Sequence, residues 1–97
     1  MEMTQQLKDF LTKEGYFNLV EIPGRGICGL YRFVFTVGLV IGINEDGYKG
    51  RFCYPHLADA MTDINTWDGI NDPSGDWLKY KGEDNEYSNQ KLKDEKN

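Results

Sequence analysis

The sequence predicts an α+β fold: an antiparallel sheet of about four to five strands with two helices packed on one face. Three observations carry this prediction. The apolar residues repeat at helical spacing near the start and again after Pro55. They alternate with a period of two, in β-rich composition, between residues 27 and 54. No alternation of strand and helix suggests parallel crossovers, so an antiparallel sheet is the way to bury both helical stripes. Ninety-seven residues support a single core.

The elements follow in order. Thr4 is suited to cap a first helix whose apolar side holds Met3, Leu7, Phe10 and Leu11, and Gly15 stops it. "YFNLVEI" (16–22) reads as a strand closed by Pro23 and Gly24. "ICGLYRFVF", "GLVIGI" and "YKGRFCY" then read as a meander, with "NEDG" (44–47) as its hairpin turn and "TVG" (36–38) as a tighter turn or a bend. Leu57, Met61 and Ile64, with Ala58 and Ala60, place a second helix after Pro55; Trp67 closes its apolar side and Gly69 ends it. "DWLKYKG" gives a last strand, so residues 1–81 form the domain. Residues 82–97 are almost wholly polar and read as a flexible charged tail.

Composition excludes several classes. The longest apolar-rich stretch, residues 33–43, is interrupted by Thr36, Gly38 and Gly42 and is too short to span a bilayer, so no membrane partnership is expected. "MEMTQQLKDF" has neither a basic nor an apolar leader region, and two cysteines are too few for a disulfide scaffold. The expected location is the cytoplasm. A net charge of −5 argues against duplex nucleic acid, which needs a broad basic face. The charge is unevenly spread, however. Residues 22–56 are net +2, through Arg25, Arg32, Lys49 and Arg51 against Glu45 and Asp46, whereas residues 57–97 are net −5. A basic centre in an acidic shell suits a small anion or a basic protein partner.

"PGRGICGLYRF" (23–33) concentrates glycine and arginine. It is not a P-loop: its glycines precede a strand rather than a helix, and they match neither phosphate-loop spacing. Gly24 and Gly26 read as turn residues, with Arg25 on the turn. Arg32 and Arg51, each flanked by an aromatic residue, sit within predicted strands, where they form a bidentate anion site if they share a face and solvated surface charges if they do not. "CYPHLAD" adds Tyr54 and His56 to the candidate ligand-binding residues. Cys53 and His56 are too sparse for a zinc site and read better as a core thiol and a helix-start residue than as a catalytic pair. No cofactor and no metal are expected. In "WDGINDPSGDWLKYKG" (67–82), Trp77 and Tyr80 either stack on a ligand, with Lys79 and Lys81 meeting its charge, or pin their own loop to the core.

"PGRGICGLYRFVFTVGLVIGINEDGYKGRFCY", the "ADA" of the second helix and "WDGINDPSGDWLKYKG" together resemble small accessory proteins encoded by bacteriophages and prophages. The resemblance implies action in the cytoplasm of a bacterial host, against a host defence. It carries no site residues. The expected function is therefore non-enzymatic sequestration of a small anionic, nucleotide-like ligand, in a pocket that can form between identical chains, so a homo-oligomer belongs to this reading. The alternatives are an acidic, anti-CRISPR-like inhibitor of a host defence protein and, ranked last, a small enzyme using Cys53 and His56.

Overall fold

The computed structural model describes residues 3–82. The chain runs α1 (Gln5–Lys13), β1 (Phe17–Ile22), β2 (Gly26–Arg32), β3 (Val37–Ile41), β4 (Gly50–Tyr54), α2 (Leu57–Thr66) and β5 (Lys79–Gly82). The five strands form one antiparallel sheet in sequential order. The α+β class and the strand number are as the sequence predicts. The last strand takes in Gly82, and the rest of the expected tail lies outside the described residues.

The placement of the helices is a correction. Cys28, Leu30, Leu39, Ile41, Phe52, Tyr54 and Tyr80 form one core with Ala60 and Ile64 of α2. Their strand neighbours Ile27 and Val40 belong to a second core with Leu11 of α1, Tyr16 and Ile43. Successive strand residues face opposite sides of a sheet, so the two helices cover opposite faces. The reason lies in β3, where all five residues are buried. A strand apolar on both sides conceals its alternation, and its second face needs its own cover. Two strand glycines on the α1 side are filled from neighbouring segments. A Cβ at Gly29 would meet Leu19 at 2.8 Å, and one at Gly38 would meet Phe33 at 2.6 Å.

Local signals place most element ends. Thr4 Oγ1 accepts from the Leu7 amide at 3.1 Å, and Gly15 takes φ +113° past the end of α1. The β1–β2 pairing passes from Phe17↔Leu30 to Val20↔Cys28, a bulge at which Asn18 has φ 53°. The 44–47 turn is closed by the Asn44–Gly47 bridge. The second turn lies earlier than expected: Phe33 N–H donates to the Thr36 carbonyl at 2.8 Å, and Val34 and Phe35 form a tip 87% and 91% exposed. The three aromatic residues of the 67–82 segment converge on Phe52, with ring centroids 5.6 Å away for Trp67 and 4.8 Å for both Trp77 and Tyr80. Among the described residues Asp63 is the buried polar exception; its Oδ2 accepts from Tyr54 Oη at 2.6 Å and from the Gly75 amide at 2.9 Å, joining α2 to β4 and to this loop.

Candidate functional site

The glycine-rich stretch supplies one wall of a cleft of about 560 Å³ at one end of the sheet. The β1–β2 turn brings Gly24, Arg25 and Gly26, and the β3–β4 connection brings Gly42, Asn44 and Lys49. Two backbone hydrogen bonds lock the turns together: Gly42 N–H to the Arg25 carbonyl at 3.1 Å, and Ile43 N–H to the Ile27 carbonyl at 2.9 Å. Gly26 and Gly42 both adopt positive φ, and a Cβ on Gly26 would lie 3.9 Å from the Gly42 Cα. At Gly26 that is ordinary van der Waals contact, so its positive φ rather than lack of space is what favours glycine there.

Arg25 is held rather than loose. Its Nε donates to the Gly69 carbonyl at 2.9 Å, and its guanidinium carbon lies 4.9 Å from the Trp67 ring centroid. Arg25 lines the cleft, and a guanidinium bonded through Nε keeps two terminal nitrogens able to donate. The aliphatic stem of Lys49 lies over Gly42, where a Cβ would meet Lys49 Cγ at 2.8 Å. Together these two cations give the cleft a positive rim. Beneath the turn, Cys28 is fully buried and its thiol approaches the Gly26 carbonyl at 3.6 Å. Burial pushes this thiol up to about 11, which makes it a poor nucleophile at neutral pH.

The other sequence-derived candidates are dispersed. Tyr80 also lines the cleft, but it is 3% exposed and packs on Phe52. Trp77 is 8% exposed, and its indole donates to the Pro73 carbonyl at 2.9 Å, so it pins the loop instead of offering a stacking face. Tyr54 is fully buried; burial and then its hydrogen bond to Asp63 raise its phenol above the usual range. Arg32 pairs with Val37, and Arg51 with Val40. Those two valines are three residues apart on one strand, so Arg32 and Arg51 emerge on opposite faces and form no shared bidentate site. Arg32 is exposed and lies 5.4 Å from the Phe17 ring centroid. His56 is exposed at the start of α2 and makes no side-chain cap bond, whereas Cys53 is 1% exposed in β4. Cys28 and Cys53 point to opposite faces, which rules out a bond between them. Among the described residues no three His, Cys, Asp or Glu side chains are grouped to hold a metal, and no helix is long and apolar enough to cross a membrane.

Arg51, Lys79 and Lys81 do share a face. The register sets Arg51 opposite Lys81, and Cys53 opposite Lys79. The sequence counts Lys49 in the basic centre without placing it at a site, and it gives no sign of Gly42 and Asn44, because their part in the cleft depends on two distant turns meeting. It also passed over Asp63, for which a signal existed: an acid directly beside the apolar stripe of α2. Comparison with known proteins gives no match to a family model, to a curated protein or to a solved structure.

Proposed function

We propose that this chain binds a small anionic, nucleotide-like ligand in the cleft at the glycine turn, holds it without chemical conversion, and thereby blunts a nucleotide-signalled bacterial defence. The observation that carries the binding part is Arg25. Its guanidinium is fixed by the Gly69 carbonyl and Trp67 at the edge of a cleft of about 560 Å³, with Lys49 on the facing turn. That volume falls within the range of roughly 300–1,000 Å³ common for small-molecule sites. A guanidinium already held in place loses little freedom on meeting a phosphate, and its planar fork matches phosphate oxygens. The phage setting and the defence target rest on the sequence resemblance. Sequestration needs no general base or nucleophile, in keeping with the buried Cys28 and Cys53.

The test is a thermal-shift titration of the full chain with linear and cyclic nucleotides, repeated on Arg25→Ala and Lys49→Ala. A rise in Tm with one nucleotide class, lost in both variants, supports the reading. Unchanged Tm across the panel overturns it and directs attention to a protein partner of the acidic surface.

A further inference from the structure

We propose that the sheet face opposite α2 carries a second anion site, centred on Arg51 and Lys81. It takes a guanine-type nucleoside monophosphate, with the base in the groove of Tyr16, Tyr31, Phe33 and Tyr48. This site is separate from the glycine-turn cleft and stands or falls independently of it.

Three observations converge on Arg51. Its guanidinium carbon lies 4.0 Å from the Phe33 ring centroid, and Nη1 donates to the Tyr48 hydroxyl, so the group is held over an aromatic wall. No carboxylate among the described residues pairs with it; its Nε is shielded from solvent without a hydrogen-bond partner, and the polar neighbour on its own strand is the Cys53 thiol, which carries no compensating negative charge while protonated. The residue directly opposite it across β4 and β5 is Lys81, also a cation. Like charges directly opposite in a sheet destabilise the pair. A half-buried, unneutralised guanidinium facing an ammonium is the arrangement that a bound anion relieves.

The adjoining groove defines what carries the anion. It measures about 210 Å³ and is lined by Tyr16, Tyr31, Phe33, Tyr48 and Glu14. Tyr31 lies 5.1 Å from Tyr16 and 4.9 Å from Phe33 between ring centroids, so the walls are rings that pack on one another at the edge of the α1-side core, to which Tyr16 belongs. Tyr48 links the two parts, since it lines the groove and accepts from Arg51. A flat ring gains stacking area there. Glu14 at the groove selects a ring edge that donates hydrogen bonds. The N1–H and exocyclic amine of guanine present two donors side by side to one carboxylate, whereas adenine presents an acceptor beside its amine. The phosphate then lies towards Arg51 and Lys81, away from the carboxylate.

The experiment is a titration of the isotope-labelled full chain with GMP, AMP, guanosine and inorganic phosphate, followed by amide and side-chain NMR shifts. Arg51→Gln, Lys81→Ala and Glu14→Gln are measured alongside. The expected result is saturable movement of Tyr48, Arg51 and Lys81 with GMP. Binding should weaken by roughly tenfold or more for guanosine, for phosphate alone and for Lys81→Ala, the scale of one lost charge-assisted contact. AMP should bind more weakly than GMP, and Glu14→Gln should narrow that difference. Lys81 is exposed on an edge strand, so its variant keeps the test valid should Arg51→Gln unfold. No saturable shift with GMP, equal binding of phosphate alone, or an affinity unchanged in Lys81→Ala overturns the proposal. Shifts confined to Gly24, Arg25, Gly26 and Gly42 overturn it as well, while leaving the cleft reading intact.

Discussion

Replacing Tyr54 by Phe removes one atom and tests how the two halves of the chain are joined. The Tyr54 hydroxyl donates to Asp63 Oδ2 at 2.6 Å, with Tyr54 fully buried and Asp63 3% exposed. In Tyr54→Phe the carboxylate keeps only the Gly75 amide at 2.9 Å as its named partner. A hydrogen bond to a buried charged acceptor is worth about 1.5–3 kcal/mol, and the ring itself stays in place. The expected loss is therefore about 2 kcal/mol, a large share of the ~5–15 kcal/mol typical of a domain. For a chain of this size it corresponds to a fall in Tm of about 10 °C. Urea unfolding followed by tryptophan fluorescence measures it, with an unchanged m-value showing that cooperativity persists. In an Asp63→Ala background the same substitution should cost much less, because its partner is already gone; the coupling should approach about 1.5 kcal/mol. A loss below about 0.5 kcal/mol, or strict additivity of the two substitutions, would refute the reasoning.

The same buried groups set the alkaline limit. An unfolded tyrosine loses its proton near pH ~10, whereas folded Tyr54 keeps it because burial and Asp63 raise its pKa. The stability from this group is complete below pH ~10 and declines above it by about 1.4 kcal/mol per pH unit. Urea midpoints that hold steady up to pH ~11 would contradict this. Cys28 and Cys53, 0% and 1% exposed, should resist a water-soluble disulfide reagent in the native protein and react once it unfolds; rapid labelling of the native chain would oppose that. Gly69→Ala should destabilise by more than about 1 kcal/mol, since its Cβ would sit 2.6 Å from Ile22 Cγ2 and 2.7 Å from the Pro23 carbonyl oxygen at φ +84°. Because the Gly69 carbonyl holds Arg25, this variant should also bind ligand more weakly; wild-type stability and affinity together would disprove both points.

Particular residues show how far the sequence could be read. Thr4, the 44–47 turn, the Leu57–Ile64 stripe and "LKYKG" carry local signals, and each element is found close to where they place it. The side taken by α1 was not legible, because "VGLVI" is apolar on both faces and hides which residues share one. The 33–36 turn was misplaced because Val34 and Phe35 look like strand core but lie exposed at its tip. For the site, composition drew attention to the glycine turn, whose residues Gly24, Arg25 and Gly26 line the cleft. The partner of Arg25 was out of reach, since Gly69 lies 44 residues away and acts through its carbonyl rather than its side chain. Trp77 and Tyr80 drew attention as recognition residues, but they carry the same aromatic signature when they serve as anchors on Phe52.

The central claim is that the glycine-turn cleft holds a small anion through Arg25 and Lys49. Its most direct test is the thermal unfolding of the full chain carrying Lys81→Ala, which disables the second site, with and without Arg25→Ala, against a panel of linear and cyclic nucleotides. The account predicts that one nucleotide class raises Tm markedly, since a ligand at about 100 times its Kd adds about 2.7 kcal/mol, and that Arg25→Ala abolishes the rise while still folding. A Tm unmoved by every nucleotide, or raised equally in Arg25→Ala, would contradict it.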